Sequence, residues 1–379
     1  MMVNESVFSY PAVVLLAIAA VGCGSVVVDD RGASSESATG SGGASAGSGA
    51  PSSSTGSASS GTGGSADCTA PKVTVLASKQ WHPGAIALDA ANVYWANAGA
   101  PGESSPITHV FSAPKAGGTP VEIATTKGSL YSVLVDDARV YWMVHDDTVP
   151  PGSGIIYAMP KAGGPVTKVF TSKSHYLFSL TMDEARFYWE NGKGQIVSVS
   201  KSGGDTTVLA ENAQSGQANG IVISQDSVYW KQVDDTLMST PKLGGASQAV
   251  TDLHVVDGSF AVDDAHAFWV AGFTAGGVSG AVVFSAPKSG GEPVEIVHDP
   301  DGAYDLHQFG PCLYWASSFF SPSPTSFGPG WELRAAPKSG GAPIALFYQE
   351  NSTIFHYAVD ASGVYWVDRA SGTVMKATK

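Results

Sequence analysis

Positive charge is scarce in this chain. Against 33 Asp and Glu stand 20 Lys and Arg over 379 residues, a formal net charge of −13, so the field of the whole molecule repels phosphate backbones and anionic lipid. Nucleic acid is thereby excluded as an expected partner. Charged residues of both signs make up only 14% of the chain while 43% is hydrophobic, which excludes a disordered or coiled-coil protein. Three cysteines are too few for a disulfide-dense fold. No apolar run reaches the roughly 20 residues of a spanning helix. There is no H-E-x-x-H, no C-x-x-C and no P-loop, so the usual signatures of metalloprotease, redox and nucleotide chemistry are missing. The one G-x-S-x-G match, Gly43-Ala44-Ser45-Ala46-Gly47, lies in a stretch without a strand-turn-helix pattern and is not a nucleophile elbow. What the chain has in quantity is glycine, 45 residues, and tryptophan, nine.

The longest apolar run, Ala12 to Gly22, ends at Cys23 and has the length of a signal-peptide h-region. The residues Ala20-Val21-Gly22-Cys23 resemble the bacterial lipobox. That resemblance implies that residues 1–22 are removed and that Cys23 is lipidated, anchoring an exported protein to the cell envelope at the outer membrane, on its periplasmic or surface side. The export signal departs from the pattern: no Lys or Arg precedes Arg31, and Glu5 stands in the n-region; a misplaced start codon would explain this. From Ala33 to Asp67 every residue is Gly, Ala, Ser or Thr except Glu36, Pro51 and Asp67. With nothing to bury, residues 23–67 read as a lipidated, disordered tether, and some 40 such residues reach on the order of 35 Å.

Past Cys68 the chain repeats. An aromatic-Trp pair recurs at Tyr94-Trp95, Tyr141-Trp142, Tyr188-Trp189, Tyr229-Trp230, Phe268-Trp269, Tyr314-Trp315 and Tyr365-Trp366, at intervals of 47, 47, 41, 39, 46 and 51. This is the period at which four short strands make one propeller blade. An Asp at a fixed place before the pair (Asp89, Asp136, Asp183, Asp263, Asp360) closes the turn between strands a and b through its own backbone. After the pair comes Pro114-Lys115-Ala116-Gly117-Gly118, with the same frame at Pro160, Ser200, Pro241, Pro287 and Pro337. It reads as a tight turn between strands c and d whose glycines accept positive φ and whose lysine stays in water. The seventh repeat lacks its fourth strand, and Val73-Thr74-Val75-Leu76-Ala77 matches the fourth strand of the third repeat, Thr206 to Ala210. Residues 68–379 are therefore expected to form an all-β, seven-bladed propeller of four-stranded antiparallel blades, closed by the N-terminal strand.

The repeat, V-Y-W followed by a strand and a glycine turn, resembles the YWTD propellers of the lipoprotein-receptor type and the related NHL and TolB-like propellers. The resemblance covers nearly all of 72–379. It departs by counting seven repeats where YWTD domains have six, and only Val367-Asp368 after Trp366 approaches the name-giving motif. It implies a scaffold that recognises proteins, sugars or small molecules.

In such a ring the b-to-c and d-to-a connections share one face. The b-to-c connections vary, with insertions at 96–108, 144–155, 272–281 and 316–331, and variable loops on a rigid ring are where binding resides. The longest carries Phe319, Phe320, Phe327 and Trp331, which either stack on a sugar, grip a protein, or fold back over the blade. Nine residues before each aromatic-Trp pair lies the start of the innermost strand: Ala85, Ser132, Ser179, Gly220, Ser259, Asp305 and His356. Five are small, as crowding at the axis demands. The two exceptions bring His307 and Tyr357 with them and make the polar cluster that aligning the repeats assembles. Asp299, Asp301 and Asp305 form a D-x-D-G-x-x-D run that either wraps a hard cation such as calcium or is a solvated turn. No other cofactor is implied.

Cys68 and Cys312 remain beside Cys23. An oxidising compartment lets them pair across blades 6 and 7 on the turn-rich face, or they remain thiols. The functional expectation is a monomeric envelope lipoprotein whose propeller binds or scaffolds a protein or glycan partner. The alternative is a channel-centred hydrolase or lyase, metal-dependent or not, using Asp305, His307 and His356.

Overall fold

The computed structural model describes residues 68–378 apart from 71, 104–105, 147–152, 173–176, 215–219, 252–259, 276–277 and 321–328. Cys23, the tether, Ser259 and Phe327 lie outside the described residues. The described chain is all strand and turn, in seven antiparallel sheets of four strands. No helix among the described residues is long and apolar enough to cross a membrane. Blades 1 to 6 take their strands a to d in chain order. In blade 7 the order is Lys72–Ala77, Thr373–Thr378, Gly363–Asp368, Ile354–Asp360, with Lys72 opposite Thr378 and Val75 opposite Met375. The outer strand of the last blade thus comes from the start of the described chain.

The aromatic-Trp pair explains how the blades stack. Successive strand residues point to opposite faces, so a Tyr-Trp dipeptide in strand b sends one ring to each neighbouring blade. Tyr94 shares a buried cluster with Trp142 of the next blade, Tyr141 with Trp189, Tyr188 with Trp230, Tyr229 with Trp269, Phe268 with Trp315, and Tyr314 with Trp366. Tyr365 of blade 7 meets Trp95 of blade 1. Each ring buries on the order of 150–250 Å², worth several kcal/mol at about 25 cal/mol per Å². Strand b is therefore apolar on both faces, without the solvent-facing alternation of an ordinary antiparallel sheet.

The a-to-b turns are built on their aspartates. Asp89 Oδ1 accepts the backbone N–H groups of Ala91 and Asn92 at 2.8 and 2.7 Å, and Asp136, Asp183 and Asp263 do the same in their blades. The c-to-d turns place Gly117 at φ +96°, with its N–H on the Pro114 carbonyl at 3.0 Å.

The lysine of these turns departs from expectation. It is not in water but reaches the turn aspartate of the preceding blade: Lys161 to Asp89 at 2.7 Å, Lys201 to Asp136 at 2.8 Å, Lys242 to Asp183 at 2.9 Å and Lys338 to Asp263 at 2.7 Å, with Lys115 of blade 1 on Asp360 of blade 7. These lysines are only 8 to 22% exposed. Several also sit over the neighbour's aromatic ring, as Lys201 does 5.1 Å from the centre of Tyr141. The physical reason is the spare lone pairs of a carboxylate that already closes its own turn. Its second oxygen accepts the tyrosine hydroxyl of its own blade, Tyr94 to Asp89 at 2.9 Å, and the ammonium of the next. Burial alone would raise these carboxyls, but the lysine, the backbone N–H groups and the tyrosine hydroxyl hold Asp89, Asp136 and Asp183 at about 2.

Candidate functional site

On the loop face, two of the expected insertions are continuations of the ladder. His266–Ala275 pairs with Val278–Pro287 in blade 5, and Cys312–Phe320 with Pro329–Pro337 in blade 6. Phe319 lies opposite Gly330 and Phe320 opposite Pro329. These hairpins lengthen because their arms keep pairing past the point where blades 3 and 4 turn back.

At the inner positions, strand a carries a bulge between Pro83 and Ala85, Leu130 and Ser132, Phe178 and Thr181, Tyr304 and His307, and Ile354 and His356. Bulges re-aim side chains at the rims of closed sheets. In blade 6 the bulge holds Asp305 at φ +54°, a left-handed conformation that costs a non-glycine residue on the order of 1 kcal/mol. The His307 Nε2–H donates to the Asp305 carboxylate at 3.0 Å, and the His307 ring lies 4.5 Å from that of Tyr357 in blade 7. Burial, reinforced by His307 and opposed by Asp305, holds His356 below the usual histidine value and so neutral. The expected cluster of Asp305, His307, His356 and Tyr357 thus straddles blades 6 and 7. Tyr357 is buried, its hydroxyl rests against the Asp305 carbonyl and 2.9 Å from the Tyr314 carbonyl, and it fixes the backbone of the bulge from the next blade.

Asp299 and Asp301 go elsewhere. The Arg334 guanidinium binds Asp299, fully buried, and Asp301 at 2.6 Å, and it also meets Glu332 at 2.6 Å. The Trp315 indole N–H donates to Asp299 at 2.7 Å. The expected cation site of Asp299, Asp301 and Asp305 is not assembled, and among the described residues no group of three or more His, Cys, Asp or Glu side chains has the arrangement to hold a metal. Arg334 is the positive charge that these carboxylates face. Trp331 is half-buried and packs on the cluster between blades 6 and 7 and beside Tyr304, 6.2 Å between ring centres. Tyr304, next to Asp305, is the ring left exposed there.

Cys68 and Cys312 are joined as a disulfide, Cα atoms 5.8 Å apart, both buried. It ties the segment before the outer strand of blade 7 to strand b of blade 6.

Blade 1 holds a feature that sequence reasoning missed. His109 on strand c has Nε2 3.1 Å from Glu103 and Nδ1 3.0 Å from Glu122. A neutral imidazole donates from one nitrogen only, so two carboxylates ask for the imidazolium. Burial opposes that form, but Glu122 and Glu103 outweigh it and raise the pKa of His109. A raised pKa adds stability that is complete below the usual 6.5 and fades as pH climbs through the native value. The nuclear magnetic resonance titration of the His109 ring is accordingly expected above that of an unperturbed histidine, and Glu103→Gln should bring it down; an unshifted midpoint in the wild type would refute the clamp.

No protein-family model matches this sequence, and no curated protein matches it. Solved structures share its fold. The computationally designed Ika8 protein is 12% identical over 80% of this chain and 98% of its own, with a TM-score of 0.52. YCF48, in a structure with D1 peptide bound, is 10% identical over 83% of this chain and 99% of its own, at 0.53. BamB from Moraxella catarrhalis is 12% identical over 81% and 100%, at 0.48. The chain is a β-propeller.

Proposed function

We propose that this chain is an exported, lipid-anchored propeller that acts as a monomeric binding scaffold in the cell envelope, recognising a protein or glycan partner on the loop face of blades 6 and 7. The observation that carries the reading is Asp305, held in a left-handed conformation at an inner position where most other repeats have a small residue, with His307 and His356 around it and exposed Tyr304 beside it. Ser179, at the equivalent position of blade 3, has the same backbone at φ +53°, so what sets blade 6 apart is the carboxylate and the imidazoles gathered there. The address rests on the lipobox-like run at Cys23 and the tether behind it, and the aromatic-Trp repeat supports kinship with the YWTD, NHL and TolB-like propellers. That a propeller of this fold, YCF48, has been captured with a peptide supports a protein partner.

The test is site-specific photo-crosslinking of the full chain in its native host, with the reactive amino acid at Tyr304 or, on the opposite face, at Leu243, which is 92% exposed. Adducts from position 304 alone are expected, and mass spectrometry separates protein from glycan. Equal labelling from both positions, or none, refutes the loop face as the recognition surface. Cys23→Ser should move the chain from the membrane to the soluble fraction.

A second reading is favoured by the 3.0 Å bond between Asp305 and His307, since a carboxylate that orients an imidazole is the supporting half of a general base. Under it Asp305→Asn abolishes hydrolysis of an ester or glycoside while leaving crosslinked partners unchanged.

A further inference from the structure

The blades are fastened to one another by polar clasps, and among the described residues one seam shows none. Blades 7 and 1 are held by Lys115 on Asp360 and by the Trp95 indole N–H on Gln80 at 2.8 Å. Blades 1 and 2 have Lys161 on Asp89 and Trp142 on Thr126 at 2.9 Å. Lys201 on Asp136 joins 2 to 3, and Lys242 on Asp183 joins 3 to 4. Blades 5 and 6 share Lys338 on Asp263 and Trp315 on Asp299. Between 6 and 7, where Phe309 replaces the turn aspartate, the disulfide and Tyr357 serve instead.

Between blades 4 and 5 both clasps fail. The turn residue of blade 4 is Ser224, which closes its own turn by accepting the Ser227 N–H at 3.3 Å and has no charge to offer the next blade. Lys288 of blade 5 reaches only the Tyr229 ring, 5.9 Å from its centre, and no carboxylate among the described residues. Among the described residues the Trp269 indole N–H is buried without a partner, as are those of Trp230 and Trp366, but their seams keep Lys242 on Asp183 and the disulfide respectively. The inner strand of blade 4, Ile221–Ile223, is three residues, against five to seven in blades 1, 2, 3, 6 and 7. Hydrophobic packing of Tyr229 against Phe260 and Trp269 remains, but it is non-directional and present at every seam.

We infer that the propeller ring opens first between blades 4 and 5, a hinge written into the turn sequence by one missing aspartate. Closed rings of repeats open locally where the nearest-neighbour interface is weakest. Opening there bares the Lys288 turn and the edge of Phe260–Val262 while the cluster at blades 6 and 7 stays closed behind its disulfide.

Hydrogen exchange read by mass spectrometry on the full chain tests this. In the wild type, amides of Ile221–Ile223, Gln248–Thr251 and Phe260–Val262 should exchange together and faster than the corresponding strands at the other six seams. Ser224→Asp restores the clasp to Lys288 and should slow exchange at this seam by about five-fold, as expected for one partly buried ion pair, without changing the seam between blades 1 and 2. Ser224→Asp combined with Lys288→Met should return it to the wild-type rate. Uniform exchange, earlier exchange at another seam, or a Ser224→Asp protein with the wild-type map each overturns the inference, and the wild-type map does so without any variant.

Discussion

Replacing both Cys68 and Cys312 with alanine will lower the midpoint of thermal unfolding by about 3–6 °C. The bridge closes a loop of 244 residues, and a cross-link over so long a loop removes enough freedom from the unfolded chain to stabilise by about 2–4 kcal/mol. An entropy of unfolding of about 2.1 cal/mol/K per residue turns that energy into the stated shift for a domain of this size. The effect is larger than for a surface bridge because of where the bond lies. Phe309 has displaced the turn aspartate of blade 6, so no lysine clasp backs up the seam to blade 7, and the outer strand Lys72–Ala77 depends on the same tie. Alanine at both sites avoids leaving a buried hydroxyl or thiol without a partner. Scanning calorimetry should show the same shift when the wild type is unfolded in strong reductant. A midpoint that does not move in either case would mean that the pairing of Lys72–Ala77 with Thr373–Thr378 suffices by itself.

Acid will unfold the protein in two distinguishable stages. The first belongs to His145, buried in blade 2 against the Tyr131 ring at 3.8 Å, where burial lowers its pKa to about 4. The native state prefers the neutral ring, so this contribution is whole above the usual 6.5 and is lost as pH falls through 4. At about 1.4 kcal/mol per pKa unit it amounts to about 3 kcal/mol. The second stage belongs to Asp89, Asp136 and Asp183, each lowered to about 2. A depressed carboxyl contributes stability above its ordinary value of 3.8, lost as pH falls from there to 2. Each is worth about 1–2 kcal/mol after solvent screening. Urea titrations at stepped pH should show both limbs, with salt weakening the second and sparing the first. His145→Gln should remove the first limb. Asp136→Asn keeps an oxygen for the turn N–H groups but gives up the charge beneath Lys201, and should flatten the second limb; an unchanged limb would show that the clasps contribute nothing.

Much of the fold was legible along the chain. The spacing of seven aromatic-Trp pairs, the turn aspartates and the strand-like run at residues 73–77 each depend on contacts within about ten residues or on repetition, and the structure has all of them where the repeats put them. The clustering of Asp305 with His307 and His356 was legible too, because equivalent positions in a repeat fall at equal depth in the ring. The left-handed backbone of Asp305 was not, since nothing in Tyr304-Asp305-Leu306-His307 distinguishes a bulge from a regular strand. Nor was the diversion of Asp299 and Asp301 to Arg334, which lies 35 residues on from Asp299 and becomes a neighbour only when strand c of blade 6 folds back toward the end of blade 5.

The lysine turns mark the boundary most clearly. Alternation and turn chemistry act locally, so the amino-acid sequence alone determined that each repeat becomes one blade, six of them with a lysine at one turn and five with an aspartate at the other. Whether that lysine faces water or a carboxylate depends on the angle at which one sheet leans on the next. That angle is set by the Tyr and Trp rings packed in every seam and by the need of seven sheets to meet, and no single repeat contains it. Tertiary structure therefore decided that Lys161 belongs to Asp89, that the bond between Cys68 and Cys312 stands where Phe309 breaks the series, and that Ser224 leaves one seam without a clasp.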